Sequence, residues 1–473
     1  MIRPWELRIV LDFQDTKAIY LQIADAIIDA IKKNKLKSGY FLPGSRKLAE
    51  ILQVNRNTVV QALDILLIEG WLTSVERKGI FVSDIDPLKQ KRVGYDKTEN
   101  FHKPTIVNNK PFIVFDDGLP DSKLAPIDEL AKAYREIFSR KGRRQMMGYT
   151  ESQGDFSFRQ AVSQMLNFKR NLPTNPSQMV ITRGSQMAMY LTAQCIIKNG
   201  DFVIVENPGY KPAWLAFENA GAKLLPVSVD NEGMVVDEIR EILKKRCIKA
   251  VYTTPHHQFP TTASLSIKRR YELIELSNQH NFYIIEDDYD HEFYFAPRPI
   301  FPIGSLAHLN RYVYIGTLSK IIAPALRIGY LYTNQSLIDK ILTLRKIIDV
   351  QGDVLMEQAV LELIKDGTIK RHLKRVTSVY LKKRDYFENL IYETLKNKID
   401  FQKPNGGLAF WLKPKKHIDI FNLANKLESK GVKILTPDKY SFKEPIMGLR
   451  LGFASLSEEQ LETGIKTIAF YLD

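Results

Sequence analysis

Several residues able to do chemistry stand just beyond short apolar runs in the middle of the chain. Met179-Val-Ile-Thr leads into Arg183-Gly184-Ser185-Gln186, and Phe202-Val-Ile-Val-Glu leads into Asn207-Pro-Gly-Tyr210. Phe282-Tyr-Ile-Ile ends in Glu286-Asp287-Asp288-Tyr289-Asp290. Tyr312-Val-Tyr-Ile ends in Gly316-Thr317-Leu318-Ser319-Lys320, with Arg327 seven residues on. Taken singly, each has a plain structural reading. Acidic clusters cap helices or face water, a Ser-Lys pair arises by chance, and an arginine is often only a surface charge. Together they meet a narrower requirement. A pyridine-ring cofactor bearing an aldehyde and a phosphate needs a lysine for a Schiff base, a carboxylate for the ring nitrogen and a hydroxyl beside the ring oxygen. It also needs an aromatic face to stack on and an anion cradle with an arginine. All are present along the chain in Ser185, Tyr210, Asp287, Tyr289, Lys320 and Arg327, and the Gly-Ser turn at a helix N-terminus offers free N–H groups to a phosphate.

Such residues must be positioned by an open parallel sheet, whose sites form beyond the carboxyl ends of its strands. From Pro111 to about residue 335, short β-rich runs alternate with helical segments, the pattern of βαβ units. The last third, roughly 335–473, is helix-rich with strands at Leu408–Leu412 and Leu449–Gly452 and reads as a smaller α+β lobe. Between about 84 and 110 apolar periodicity stops and Lys, Asn, Asp and Pro dominate, as in a solvated linker.

The first 83 residues have a different plan. Apolar positions 19, 23, 26, 27, 30 and 31 share one helix face. A second short helix carries Leu48, Ala49 and Leu52, and a third carries 59, 62, 63, 66 and 67, with Asn55 as its N-cap. Trp71-Leu-Thr-Ser-Val and Gly79-Ile-Phe-Val-Ser make a two-stranded wing around Arg77-Lys78-Gly79. Three helices and a hairpin form a winged helix-turn-helix. Arg56, Asn57 and Thr58 lie off the apolar stripe at the start of the third helix, where base edges are read. Arg46 and, in the wing, Lys78 suit phosphates. The alternative for all five is an ordinary solvated polar face.

Composition excludes other classes. With 44% apolar and 26% charged residues the chain is neither disordered nor collagen-like. Two distant cysteines, Cys195 and Cys247, make neither a disulfide scaffold nor a zinc motif, so no metal is expected. The lack of a signal-peptide profile and of a membrane-length apolar run gives a cytoplasmic expectation with no membrane partner. The net charge is +14, yet residues 1–83 hold 12 basic and 9 acidic residues, so most of the excess lies further along. Charge alone is therefore weak evidence for DNA binding by the head.

The segment LPGSRKLAEILQVNRNTVVQALDILLIEGWLTSVERKGIFV resembles the DNA-binding domain of the GntR superfamily. Its departures are Gly44, where a capping Ser is usual, and Val60, where some members place a second base-reading Arg. Residues 111–473 resemble a fold-type I aminotransferase of the pyridoxal 5′-phosphate (PLP) enzymes, through MGYTESQGDFSFRQAV, ENPGY, TTPHHQFPTT, IIEDDYDHEFYF, YIGTLSKIIAPALRIGY and GLRLGFA. The whole chain is similar to the MocR (GabR-like) subfamily of bacterial transcription regulators.

That resemblance implies Lys320 as the Schiff-base lysine, Asp287 on the pyridine nitrogen, Tyr289 on the ring oxygen and Tyr210 stacked on the ring. Ser185, Gln186, Thr317, Ser319 and Arg327 would hold the phosphate, with Tyr149 reaching in from a second subunit of a head-to-tail homodimer. Arg450 would grip an effector carboxylate. The aminotransferase Asn beside the ring oxygen is absent from the His256-His257-Gln258 stretch, Thr262 replaces a frequent Gly, and Pro212 replaces an Arg found in the GABA-responsive member. Effector identity therefore does not transfer. The implied function is a PLP-dependent regulator that binds operator DNA and senses an amine, an amino acid or PLP itself, with the body used for sensing rather than as an enzyme. A working aminotransferase with a DNA-binding appendage is the alternative.

Overall fold

In the head, Ile23, Ala24, Ile27 and Ala30 fall on one side of helix α1 (Ile19–Lys32) and are buried. They pack on α2 (Ser45–Leu52) and α3 (Arg56–Ile68), whose Val59, Ala62, Leu63 and Leu66 close the same core. Asn55 caps α3 by accepting from the Asn57 amide at 2.9 Å, which satisfies one of the orphan donors of a helix start. Strands β1 (Leu72–Val75) and β2 (Gly79–Val82) pair antiparallel, Leu72 opposite Val82. The computed structural model describes residues 7–76, 78–84, 113–139 and 148–472. Arg77 of the wing turn and all of the 84–110 linker except Asp84 therefore lie outside the described residues. The chain divides into two units between Val107 and Asn108.

The second unit begins with β3 (Ile113–Val114), α4 (Ile127–Ser139) and α5 (Phe156–Arg170). Alternation follows: β4 (Met179–Thr182), α6 (Ser185–Ile196), β5 (Phe202–Asn207), α7 (Lys211–Asn219), β6 (Lys223–Asp230), β7 (Gly233–Met234), α8 (Val236–Leu243) and β8 (Ala250–Thr253). Next come α9 (Ile267–His280), β9 (Tyr283–Asp288), β10 (Tyr312–Thr317) and β11 (Gly329–Thr333). The eight strands form one sheet in the order β4-β11-β10-β9-β8-β5-β6-β7. It is parallel except for β11, antiparallel to both neighbours, and the β6–β7 hairpin.

Because side chains alternate across a strand, each strand feeds two cores. Ile204, Val251 and Ile284 pack with α4, α5 and α9 on one face; Val205, Tyr252 and Ile285 pack with α6 and α7 on the other. The sheet is covered on both sides, as a mostly parallel sheet requires.

The remaining elements are α10 (Gln335–Ile348), α11 (Val354–Lys365), α12 (Thr368–Leu395), β12 (Ile399–Phe401), β13 (Ala409–Pro414), α13 (Ile420–Ser429), β14 (Val432–Lys433), β15 (Leu449–Gly452) and α14 (Glu458–Tyr471). The sequence pattern puts the start of the smaller lobe near 335, and here the structure differs. Leu337, Ile338 and Ile341 of α10 pack with α6, and Ala359, Val360 and Leu363 of α11 pack with α4 and α5, so both helices belong to the large body. The change comes within α12, about 42 Å long at 1.5 Å per residue: Ile369 joins the large core, Val376 and Tyr380 the small one. The small core also takes in Phe115, and β3 pairs with β14, so the start of the second unit folds back into its end. Helical periodicity marks which face is buried, not which sheet buries it.

Candidate functional site

The carboxyl ends of β4, β5, β9 and β10 bring the expected residues to one edge of the sheet, and β11 starts there too because it runs the other way. Asp287 faces the α6–α7 side, while Glu286 and Asp288 face the opposite side, a consequence of strand alternation. All three are buried. Asp287 Oδ2 accepts from the Tyr252 hydroxyl at 2.8 Å, and Oδ1 is buried with no hydrogen-bond partner.

Asp288 is compensated by a cation. Arg170 of α5 donates to Asp288 at 2.7 Å, as does the Tyr314 hydroxyl at 2.6 Å. Against the cost of burial, the Arg170 guanidinium holds the Asp288 carboxyl well below its ordinary range. His256 itself is pushed down to about 3, first by burial, and stays neutral. Glu286 accepts from the Ile303 amide at 2.9 Å and from the Tyr312 hydroxyl, and burial first, then the charge of Asp288, raises it to about 7. Asp287 likewise has no cation hydrogen-bonded to it. Burial first, then the charge of Asp288, raises it to about 7, although Tyr252 and Lys320 pull it down. A buried carboxylate with a free oxygen is a place for a cationic N–H group.

Lys320 follows β10. Its Nζ donates to the Gly118 carbonyl at 3.0 Å and stands 4.6 Å from the centre of the Tyr289 ring. The Tyr289 hydroxyl donates to the His257 carbonyl at 2.8 Å, and His257 Nδ1 meets Asp290 Oδ1 at 2.6 Å. Tyr210, at the start of α7, packs edge-on against Phe259 with ring centres 5.3 Å apart. Arg450 on β15 lies over the same Phe259 ring, its guanidinium 4.7 Å from the ring centre. It is 1% exposed and donates to the carbonyls of Asp117 and Pro260 at 2.9 and 2.8 Å. Those two carbonyls tie the small-lobe strand to both loops flanking the site. Thr262, in the loop where Gly is frequent, has φ 61°, a left-handed conformation that glycine adopts without strain.

The residues expected to hold a phosphate lie near one another. Gly184 has φ +81° and precedes the first turn of α6, which begins with Ser185 and Gln186. Gln186 Nε2 donates to the Pro212 carbonyl, while Oε1 is buried without a partner. Thr317 and Ser319 hydroxyls both donate to the Ile328 carbonyl, at 3.0 and 3.2 Å, and the Ser319 amide donates to Thr317 Oγ1. Arg327, itself left-handed at φ 51°, donates to the Arg183 carbonyl at 3.3 Å. A Cβ on Gly184 would come within 2.5 Å of the Arg327 guanidinium. Gly184→Ala is therefore expected to cost about 1–3 kcal/mol in strain and to displace Arg327; an unchanged denaturation midpoint would refute this. Tyr149 is not part of this cluster within its own chain: its side chain projects outward, 89% exposed.

In the head, Arg46, Arg56, Asn57 and Lys78 are exposed and Thr58 is half-buried. Arg56 Nε lies 3.4 Å from Ser45 Oγ, which places the N-termini of α2 and α3 side by side. Sequence reasoning missed Tyr252, Arg170 and the His257–Asp290 pair. An inward-facing Tyr on the strand next to that of Asp287 carries no local signal, and Arg170 lies 118 positions from its partner.

Among the described residues no helix is long and apolar enough to cross a membrane. Residues 112–468 match the family described as aminotransferase class I and II, and residues 19–82 match bacterial regulatory proteins of the gntR family. PLP is the cofactor of the aminotransferase family. The chain is 26% identical over 476 residues to the probable rhizopine catabolism regulatory protein MocR of Rhizobium meliloti, covering 97% of this chain and 95% of that one. It is 27% identical over 386 residues to aromatic-amino-acid aminotransferase 1 of Thermococcus litoralis, covering 80% and 92%. The crystal structure of an archaeal alanine:glyoxylate aminotransferase superposes with a TM-score of 0.73 at 29% identity, over 77% of this chain and 91% of that one. The chain thus belongs to the aminotransferase class I and II family and carries a gntR-family head, the architecture of HTH-type transcription regulators of the MocR/GabR type.

Proposed function

We propose that this chain is a PLP-dependent transcription regulator working in the cytoplasm as a head-to-tail homodimer. The head binds operator DNA through Arg46, Arg56, Asn57, Thr58 and Lys78, and the body senses an amine or amino-acid effector, or PLP itself. When bound, PLP supplies an aldehyde that condenses with primary amines and a pyridine ring that draws electrons when protonated. Asp287 would keep the ring nitrogen protonated, and the buried Oδ1 of that residue, without a hydrogen-bond partner, is the single observation that carries this reading. Ser185, Gln186, Thr317, Ser319 and Arg327 would hold the phosphate. The partner's Tyr149 would complete the cradle, which accounts for the exposure of this ring. Tyr210 would cover the ring face, Tyr289 would meet the ring oxygen, and Lys320 would hold the aldehyde carbon.

Arg450 would take an effector carboxylate on its planar fork. Its present bonds to two loop carbonyls give it a second set of partners to exchange. An effector alters DNA affinity only through unequal affinity for two states of the body. The test is the affinity of the full chain for DNA selected from a random duplex library, measured without PLP, with PLP, and with PLP plus a panel of amines and amino acids. A change of at least tenfold in one arm is expected, and the arm identifies the signal. Equal affinity throughout rejects sensing. In the same assay Arg56→Ala should cost about 1–3 kcal/mol and relax preference at one position; uniform weakening would instead mark a phosphate contact.

The likeness to aminotransferases supports a second reading, in which Lys320, Asp287 and Arg450 turn over amino donors. Sustained multiple turnovers with an amino acid and a keto acid would establish it.

A further inference from the structure

Away from the sheet edge, a groove runs along α5, bounded by the end of α11 and the first half of α12. Two adjoining cavities of about 500 and 610 Å³ share Met165, Lys169 and Lys370 and so form one channel. α5 lines it from Ser157 to Arg170, about 20 Å at helical rise. Its floor is apolar, with Met165, Leu361, Ile364, Leu373 and Leu381. At the rim Phe168 is 89% exposed and Tyr294 is 41% exposed, which leaves large rings bare beside an apolar floor.

The charge on this groove has one sign. Lys169, Lys370 and Lys374 line it, and among the described residues none of the three has a carboxylate within ion-pair distance. The acid of the lining, Glu292, is turned inward at 7% exposure, its Oε1 2.9 Å from His291 Nε2. These lysines are part of the positive excess that lies outside the head.

An occupant must supply both an apolar stripe and negative flanks. The 84–110 linker of this chain holds six basic and four acidic residues, the wrong sign. Duplex DNA has the right sign but presents no apolar side to the floor. We propose that this groove docks an acidic amphipathic helix of a partner protein, three to four turns long. Its apolar positions at i, i+3, i+4 and i+7 would lie on the floor and Phe168, and its carboxylates would meet the lysines of α5 and α12. The reading is independent of the cofactor site.

The experiment is a displayed library of helical peptides about sixteen residues long, with apolar residues fixed at those four positions and acidic, neutral or basic residues on the flanks. It is panned against the full chain. Acidic-flanked sequences should be enriched, and a purified winner should bind at least tenfold more weakly to Lys370→Glu/Lys374→Glu and to Phe168→Asp. All three positions are exposed, and melting curves check that the variants fold. Enrichment of neutral or basic flanks, absence of enrichment, or binding indifferent to the variants overturns the proposal. Displacement of the peptide by random-sequence duplex makes the groove a nucleic-acid surface instead. A smaller oligomer of either variant in sedimentation makes it a contact between copies of this chain.

Discussion

Asp287→Asn is expected to raise the melting temperature of the cofactor-free protein at pH 8 while removing its affinity for PLP. The folded Asp287 carboxyl is raised from 3.8 to about 7, by burial and by Asp288. A raised acid binds more protons in the folded state than in the unfolded one between those two values. Its ionisation therefore costs nothing below about pH 4, and the cost grows until pH passes about 7. At 1.36 kcal/mol per unit, the full penalty is at most ~4 kcal/mol. The amide accepts from Tyr252 as the carboxylate does but carries no charge to desolvate. The gain should thus be largest at pH 8 and shrink by more than half at pH 5. With PLP present the order should reverse, since only the carboxylate holds a protonated ring nitrogen. A gain independent of pH, or a variant that binds PLP like the parent, would remove Asp287 from its assigned role.

Lys320→Ala should abolish the covalent adduct that borohydride fixes in the PLP-loaded protein, from stoichiometric to none by mass spectrometry, and with it the absorbance band of the lysine-bound cofactor. The fold should persist. Lys320 gives up one hydrogen bond, to Gly118, and one contact over the Tyr289 ring, together about 1–2 kcal/mol. Non-covalent PLP should still bind, because the phosphate and ring-nitrogen groups remain. An adduct on a different lysine would refute the assignment. DNA affinity of the variant, compared with and without PLP, separates two forms of sensing. If the parent responds to an amine and the variant does not, the signal passes through the lysine.

Much of this molecule is written locally. Asn55 caps its helix because a short side-chain acceptor two residues before an amide needs no tertiary help. The strand ends at Thr182, Asn207, Asp288 and Thr317 follow from apolar runs, and a parallel arrangement then obliges Ser185, Tyr210, Asp287 and Lys320 to meet at one edge. Period-two alternation even separates Asp287 from Glu286 and Asp288 within a single acidic string.

What only the tertiary structure decided is which partners each of these acids receives. Asp288 receives Arg170 and Tyr314, Glu286 receives Tyr312 and the Ile303 amide, and Asp287 receives a neutral hydroxyl alone. No pattern in the string itself assigns those partners, because they arrive from α5, β8 and β10 through long-range packing. The lobe boundary was hidden for the same reason: α10, α11 and the first part of α12 have the amphipathic pattern of any surface helix, and only the faces they meet place them on the large body. Residue type and spacing determine the reagents and their address; the dielectric and charge around each one are properties of the assembled core.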